Sequence, residues 1–164
     1  DFDSLEDEIL LFEIENVIIN VKPPNENLNI RKDNIMKFRN DQHRNIFLKE
    51  AKEQSLKNHK LIAALYLLTS EEKLWKVSKP FIGKDNINFE NIRLKGSSES
   101  TYALYCAAKD LYNGSRHLAL DDIADNGLIK NKVFSLICNA MLIKRKGLAA
   151  INSMEICGCN DDEN

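Results

Sequence analysis

Glycine is scarce, with six in 164 residues, and the six are scattered. Neither G-x-x-x-x-G-K-S/T nor G-x-G-x-x-G occurs, so no glycine loop is set to cradle a phosphate. No G-x-S-x-G elbow is present to raise a serine nucleophile. Proline and tryptophan are rarer still, at three and one. No stretch approaches the roughly 18 consecutive apolar residues that argue for a membrane span. The first residues are acidic, whereas a secretory signal needs a basic flank, so no such signal is expected. The four cysteines do not form a disulfide framework. Cys106 and Cys138 fall in apolar helical patterns, where a free thiol behaves as a small hydrophobe. Cys157 and Cys159 sit in a polar tail, one residue apart, which is shorter than zinc-site spacing, and no later Cys or His follows. This usage suits a reducing cytoplasm. His43, His59 and His117 stand in no H-E-x-x-H or other two-ligand spacing, so structural or surface roles are expected for each. No metal, cofactor or catalytic residue is expected, and an enzyme reading has nothing specific behind it.

What is present is an unbroken apolar run at residues 61–68 within HKLIAALYLLTSEEKLW. It has no amphipathic stripe and must be covered on all sides. Thr69-x-x-Glu72 has the form of a capping box, which predicts a second helix starting there. A helix–corner–helix unit with a buried first arm becomes the centre of the chain. The expectation is an all-α protein: a compact multi-helix domain around that arm, with at most a marginal strand near the N-terminus.

Residues 1–35 read as an acidic appendage and linker. Leu5, Ile9 and Phe12 share helical spacing, residues 13–21 are β-branched and strand-capable, and Pro23-Pro24 ends that element. Apolar Val17, Ile18 and Ile19 favour docking of this segment on the main domain. The domain proper is expected at 36–151, with a flexible acidic tail at 152–164. Asn40 or Asp41 caps a helix reaching about residue 57. Gly83 to Asn86 reads as a turn and residues 88–93 as a short helix. The helix at 99–112 carries a stripe of Ala103, Ala107, Ala108 and Leu111, small enough for a close crossing against the buried arm. Asn113-Gly114 stops it. Residues 120–125 form a short helix whose Asp121, Asp122 and Asp125 act as caps. In the last helix, 130–146, Val133, Phe134, Ile137, Cys138, Ala140 and Met141 are expected to face inward.

Charge is partitioned. Residues 1–35 hold three basic and nine acidic residues, a balance of −6; residues 36–147 balance at +8; residues 148–164 balance at −4. A basic body between acidic ends suggests a surface for nucleic acid or an acidic partner, which the ends can screen or mimic. Tyr102 and Tyr105, three positions apart beside Lys109, offer rings for bases or a partner anchor. The stretch LALDDIADNGLIKNKVFSLICNA resembles a bacterial helix-turn-helix, whose second helix enters the major groove. Its reading surface here would be Lys130, Asn131, Lys132 and Ser135, with Lys144, Arg145 and Lys146 at the far end. The spacing from Ala124 to Gly127 is one residue shorter than in that motif, and a helix hairpin completing the core explains the same residues.

Two longer stretches, LIAALYLLTSEEKLWKVSKPFI and TYALYCAAKDLYNG…LALDDIADNGLIKNKVFSLICNAMLIKRKG, resemble small helical proteins of unknown function from Gram-positive bacteria, their phages and mobile elements. The resemblance covers about residues 36–147 and would make Met36 the natural start. It implies a helical fold and no activity. The function expected is a non-enzymatic macromolecular interaction module with a protein partner, an accessory of a phage or mobile element. The alternative is a helix-turn-helix-like nucleic-acid-binding regulator.

Overall fold

Residues 38–153 are described by a computed structural model of the chain, and the expectations for the N-terminal segment and the CGC tail lie outside them. In order, the elements are α1 (Asp41–Ala51), α2 (His59–Leu68), α3 (Glu72–Ser78), a 3-10 turn (Lys79–Phe81), β1 (Ile82–Gly83), β2 (Asn86–Ile87), a 3-10 turn (Phe89–Asn91), α4 (Glu99–Asn113), α5 (Leu120–Ala124), α6 (Asn131–Lys146) and α7 (Ala149–Ser153). The domain is all-α, and the only sheet among the described residues is the two-stranded antiparallel hairpin β1–β2. That marginal strand pair lies mid-chain rather than near the start.

Helix α2 is the centre. Every residue from Leu61 to Leu68 is fully buried. Four leucines, an isoleucine and a tyrosine on one short helix each remove about 1.5–3 kcal/mol worth of apolar surface from water. No single neighbour can cover a helix apolar on all sides, so α4 packs on one flank, α6 on another and α1 on a third. The α4 contact uses the small residues foreseen from spacing: Ala103, Ala107 and Ala108 are buried. Gly114 then ends α4 in the left-handed conformation at φ 70°, which lacks a Cβ penalty only for glycine.

Four rings fill the space between α1 and α2. Phe47 meets Tyr66 edge-on with centroids 5.4 Å apart, and His43 lies 4.8 Å from the same ring. Phe38 closes the cluster 5.9 Å from Tyr66. Asn40 caps α1 as expected, its side chain accepting from the His43 amide at 2.8 Å.

Three local expectations are corrected. The hydroxyls of Thr69 and Ser70 do not cap α3. They turn back, donating to the carbonyls of Leu65 and Leu67 at 2.8 and 2.6 Å. Both residues are buried, and the last carbonyls of α2 need donors as much as the next helix needs acceptors. Glu71 is the N-cap residue of α3, without a side-chain cap bond, and its carboxylate accepts from Thr101 of α4 at 2.6 Å.

Helix α1 ends at Ala51, not near residue 57. Beyond it, Gln54 accepts from the Asp85 amide at 2.7 Å and donates to the Gly83 carbonyl at 3.1 Å, while Asp85 accepts from the Ser55 amide at 2.7 Å. Binding to the hairpin tip replaces another helical turn. Residues 88–93, expected as a short helix, make only the 3-10 turn Phe89–Asn91.

Candidate functional site

The candidate surface is the outer side of α6. Lys130 has extended backbone at the N-cap and no side-chain cap bond. The helix ends at Gly147, whose φ of 74° favours glycine and whose absent Cβ leaves room for the His59 ring. Lys144, Arg145 and Lys146 occupy the last turn, where the carbonyl end of the helix favours cations.

The inward face of α6 differs from the expected one. Val133, Leu136, Ile137, Ala140 and Ile143 are the buried residues, at spacings of three, one, three and three. Phe134 and Met141 are each 36% exposed, and Cys138 is half-buried. Rotation of the stripe by about one position follows from Leu136 and Ile143. They offer as much aliphatic surface as Phe134 and Met141, and they align with Ala140, whose small side chain permits close approach to α2.

The outer side therefore combines both kinds of group. Lys130, Asn131 and Lys132 are exposed at one end, Ser135 is half-buried, and Lys144, Arg145 and Lys146 are exposed at the other. Phe134 and Met141 lie between the two basic ends. None of these five cations pairs with a carboxylate among the described residues.

The tyrosine patch on α4 does not stay together. Tyr102 is 56% exposed. The Tyr105 hydroxyl donates to the Phe89 carbonyl at 3.1 Å, and burial raises its pKa. Lys109 pairs with Glu90 at 3.2 Å, and that contact raises the ammonium pKa. Tyr105 and Lys109 therefore clamp the Phe89–Asn91 turn onto α4. Only Tyr102 remains available to a partner.

The helix-turn-helix expectation meets a weak first helix. Helix α5 has five residues, none buried; Leu120 is 84% and Leu128 55% exposed. Ile129 is buried in the core, and Leu118 and Ile123 pack against it half-buried. Asp122 caps the first turn by accepting from the Ala119 amide, and Asp125 accepts from the Gly127 amide at 2.8 Å. Asp122 thus caps the helix start as its position suggested, whereas Asp125 closes the turn beyond the helix end.

One cluster was not foreseen. Asp110 accepts four hydrogen bonds: from the Ser115 hydroxyl at 2.7 Å, His117 Nδ1 at 2.6 Å, and the amides of His117 and Leu118 at 2.7 and 2.9 Å. Burial pushes the Asp110 carboxyl upward, but the His117 and Leu118 amides, the His117 ring and the Ser115 hydroxyl outweigh it, leaving the pKa lowered. The serine bonds the carboxylate rather than the imidazole, so the order needed for a nucleophilic triad is broken. The group ties the loop after Gly114 back to α4. Its only signal in the sequence is an acceptor one turn before a helix stop.

A depression at the start of α4 is likewise used internally. Ser98 accepts from the Thr101 amide at 3.1 Å, and the Thr101 hydroxyl donates to Glu71. Among the described residues, no cluster of three or more His, Cys, Asp or Glu is arranged to hold a metal ion. No helix there is long and apolar enough to cross a membrane.

No protein-family model, curated protein or solved structure matches the chain.

Proposed function

We propose that the chain is a non-enzymatic interaction module, a cytoplasmic accessory factor of a phage or mobile element, whose outer α6 face engages an acidic region of a protein partner. The observation that carries this reading is the juxtaposition on one helix of half-exposed Phe134 and Met141 with Lys130, Lys132 and Lys144–Lys146. Aromatic, Met and Arg side chains are the types enriched where proteins meet, and a rim of cations steers an acidic partner into register. The phage or mobile-element setting rests on the resemblance of residues 36–147 alone.

The same cations support a second reading, a nucleic-acid-binding regulator using Lys130, Asn131, Lys132 and Ser135. In that arrangement a first helix braces the reading helix, and α5, five residues long, packs on the core only through half-buried Ile123. The protein partner is therefore preferred.

Affinity capture from the native host separates the two. The full chain should recover a partner that Lys130→Glu/Lys132→Glu does not, with helicity unchanged by circular dichroism. Recovery of no partner by either protein removes the preferred reading. Binding to duplex DNA that weakens steeply with salt and is lost in the same variant establishes the second, because cations then displace condensed counterions.

A further inference from the structure

The described chain begins close to α6. Phe38 packs 5.9 Å from Tyr66 between ring centroids, and the Tyr66 hydroxyl accepts from Asn139 of α6 at 3.1 Å. Residue 38 thus lies near the middle of α6 on its Asn139 flank, the side turned away from Phe134 and Met141 at 3.6 residues per turn. Two separate features call for the same kind of occupant. Nη1 of Arg39 is buried and has no hydrogen-bond partner among the described residues. A buried guanidinium nitrogen is unfavourable until an acceptor, best a carboxylate, reaches it. The α6 face meanwhile presents Phe134 and Met141 between two groups of cations.

The occupant these features require has carboxylates interleaved with aliphatic and aromatic side chains. Residues 1–35 have that composition, with nine acidic residues against three basic. Leu5, Ile9 and Phe12 recur at helical spacing among Glu6, Asp7, Glu8, Glu13 and Glu15, and Val17, Ile18 and Ile19 follow. Reach is no obstacle. The 18 residues from 20 to 37 span up to ~60 Å at about 3.3 Å each, whereas α6 is ~24 Å long at about 1.5 Å per residue.

We propose that residues 5–19 fold back in cis onto the outer face of α6, placing carboxylates on Arg39 and on the Lys130–Lys132 and Lys144–Lys146 ends and apolar side chains on Phe134 and Met141. The segment is then an internal competitor for the acidic partner. This regulatory consequence rests on the reading under Proposed function, whereas the contact itself does not. A tethered segment acts at an effective concentration of order millimolar, so a dilute partner gains access only by binding more tightly or by drawing the segment away.

Zero-length carbodiimide cross-linking of the full chain at high dilution, mapped by mass spectrometry, tests the contact. Isotope-labelled and unlabelled chains are mixed beforehand. Links from Glu6, Asp7, Glu8, Glu13 or Glu15 to Lys130, Lys132, Lys144 or Lys146 should form within single chains. Oxidation of Met141 by dilute peroxide, with Met36 and Met154 as internal references, should be several-fold slower than in a variant carrying Glu6→Gln, Asp7→Asn, Glu8→Gln, Glu13→Gln and Glu15→Gln. Links joining labelled to unlabelled chains assign the face to a second copy and overturn the proposal. So do links spread evenly over Lys49, Lys76 and Lys84, or equal Met141 oxidation in the two proteins. Any of these leaves the α6 face as a partner site intact, because Lys130→Glu/Lys132→Glu tests that separately.

Discussion

Nε2 of His43 donates to the backbone carbonyl of Tyr66 at 2.8 Å, joining α1 to the centre of α2 across 23 positions of sequence. The opposite ring nitrogen, Nδ1, accepts from the Arg39 amide at 3.0 Å. The two bonds together define the neutral tautomer with its proton on Nε2. A second proton on Nδ1 would face an N–H group and the nearby Arg39 charge inside a buried ring cluster. Burial first, and Arg39 in addition, therefore lower the pKa from 6.5 to about 4, against the opposing effect of the Tyr66 carbonyl.

Stability should depend on pH through this residue. The unfolded chain binds a proton at His43 below about pH 6.5 that the folded chain refuses until about pH 4. Stability is therefore full above pH 6.5 and falls as pH drops through that window. The loss from this one group is roughly 3 kcal/mol at about 1.4 kcal/mol per pH unit. Urea denaturation at pH 7 and pH 4.5 should show the decline. His43→Gln should be less stable at pH 7 yet much flatter between the two. A wild-type curve without slope in that window removes His43 as its source.

Asp110 titrates in the opposite chemical sense but with the same direction of stability. Its lowered pKa means that stability is present above the ordinary carboxylate value of 3.8 and is lost as pH falls below it, a window separate from that of His43. Asp110→Ala removes the acceptor of four hydrogen bonds. A loss of about 1.5–3 kcal/mol is expected, since charge-assisted bonds to a half-buried carboxylate are involved. Hydrogen exchange should quicken at the His117 and Leu118 amides well before α4 itself opens. Uniform acceleration along α4 instead would make Asp110 part of the core rather than a tie for the loop.

The stripe of alanines on α4 makes a third prediction. Ala108 is fully buried where α4 crosses α2. Ala108→Leu adds three carbons where backbones approach closely, and overpacking of this kind costs about 1–3 kcal/mol. A lower thermal midpoint with helicity retained is expected. An unchanged or raised midpoint would reveal a void beside Ala108 and a looser crossing than the burial implies.

These residues also show what was legible in the sequence. Leu61–Leu68 could be read because a helix apolar on all faces has only one stable place, the interior. The alanine stripe could be read because three alanines at helical spacing have few other uses. Thr69 was misread because a hydroxyl between two helices can serve either one, and only burial decides that it bonds backward to Leu65. The end of α1 depended on Asp85, thirty residues away from its partner Ser55 and held at φ 60° in a turn that was legible in itself but gave no sign of which segment it would bind. The basic residues of α6 were visible as a cluster. Their relation to Phe134 and Met141 was not, because both flanks of that helix are apolar and periodicity alone left the register open.

That register gives the last prediction. If Leu136, Ile137 and Ile143 form the true inner face, Ile137→Ala should cost about 2–5 kcal/mol, the usual range for truncating a fully enclosed aliphatic side chain. Phe134→Ala and Met141→Ala, each removing a side chain at a position 36% exposed, should cost clearly less, although Phe134 is larger than Ile137 and Met141 about its equal in size. Denaturant titration of the three variants ranks them directly. Should Phe134→Ala prove as damaging as Ile137→Ala, the outer stripe is covered in the free protein. In that case the double substitution Phe134→Ala/Glu13→Gln separates the two sources of cover. Non-additive losses would point to the N-terminal segment, because residues in contact couple, and additive losses to some other element.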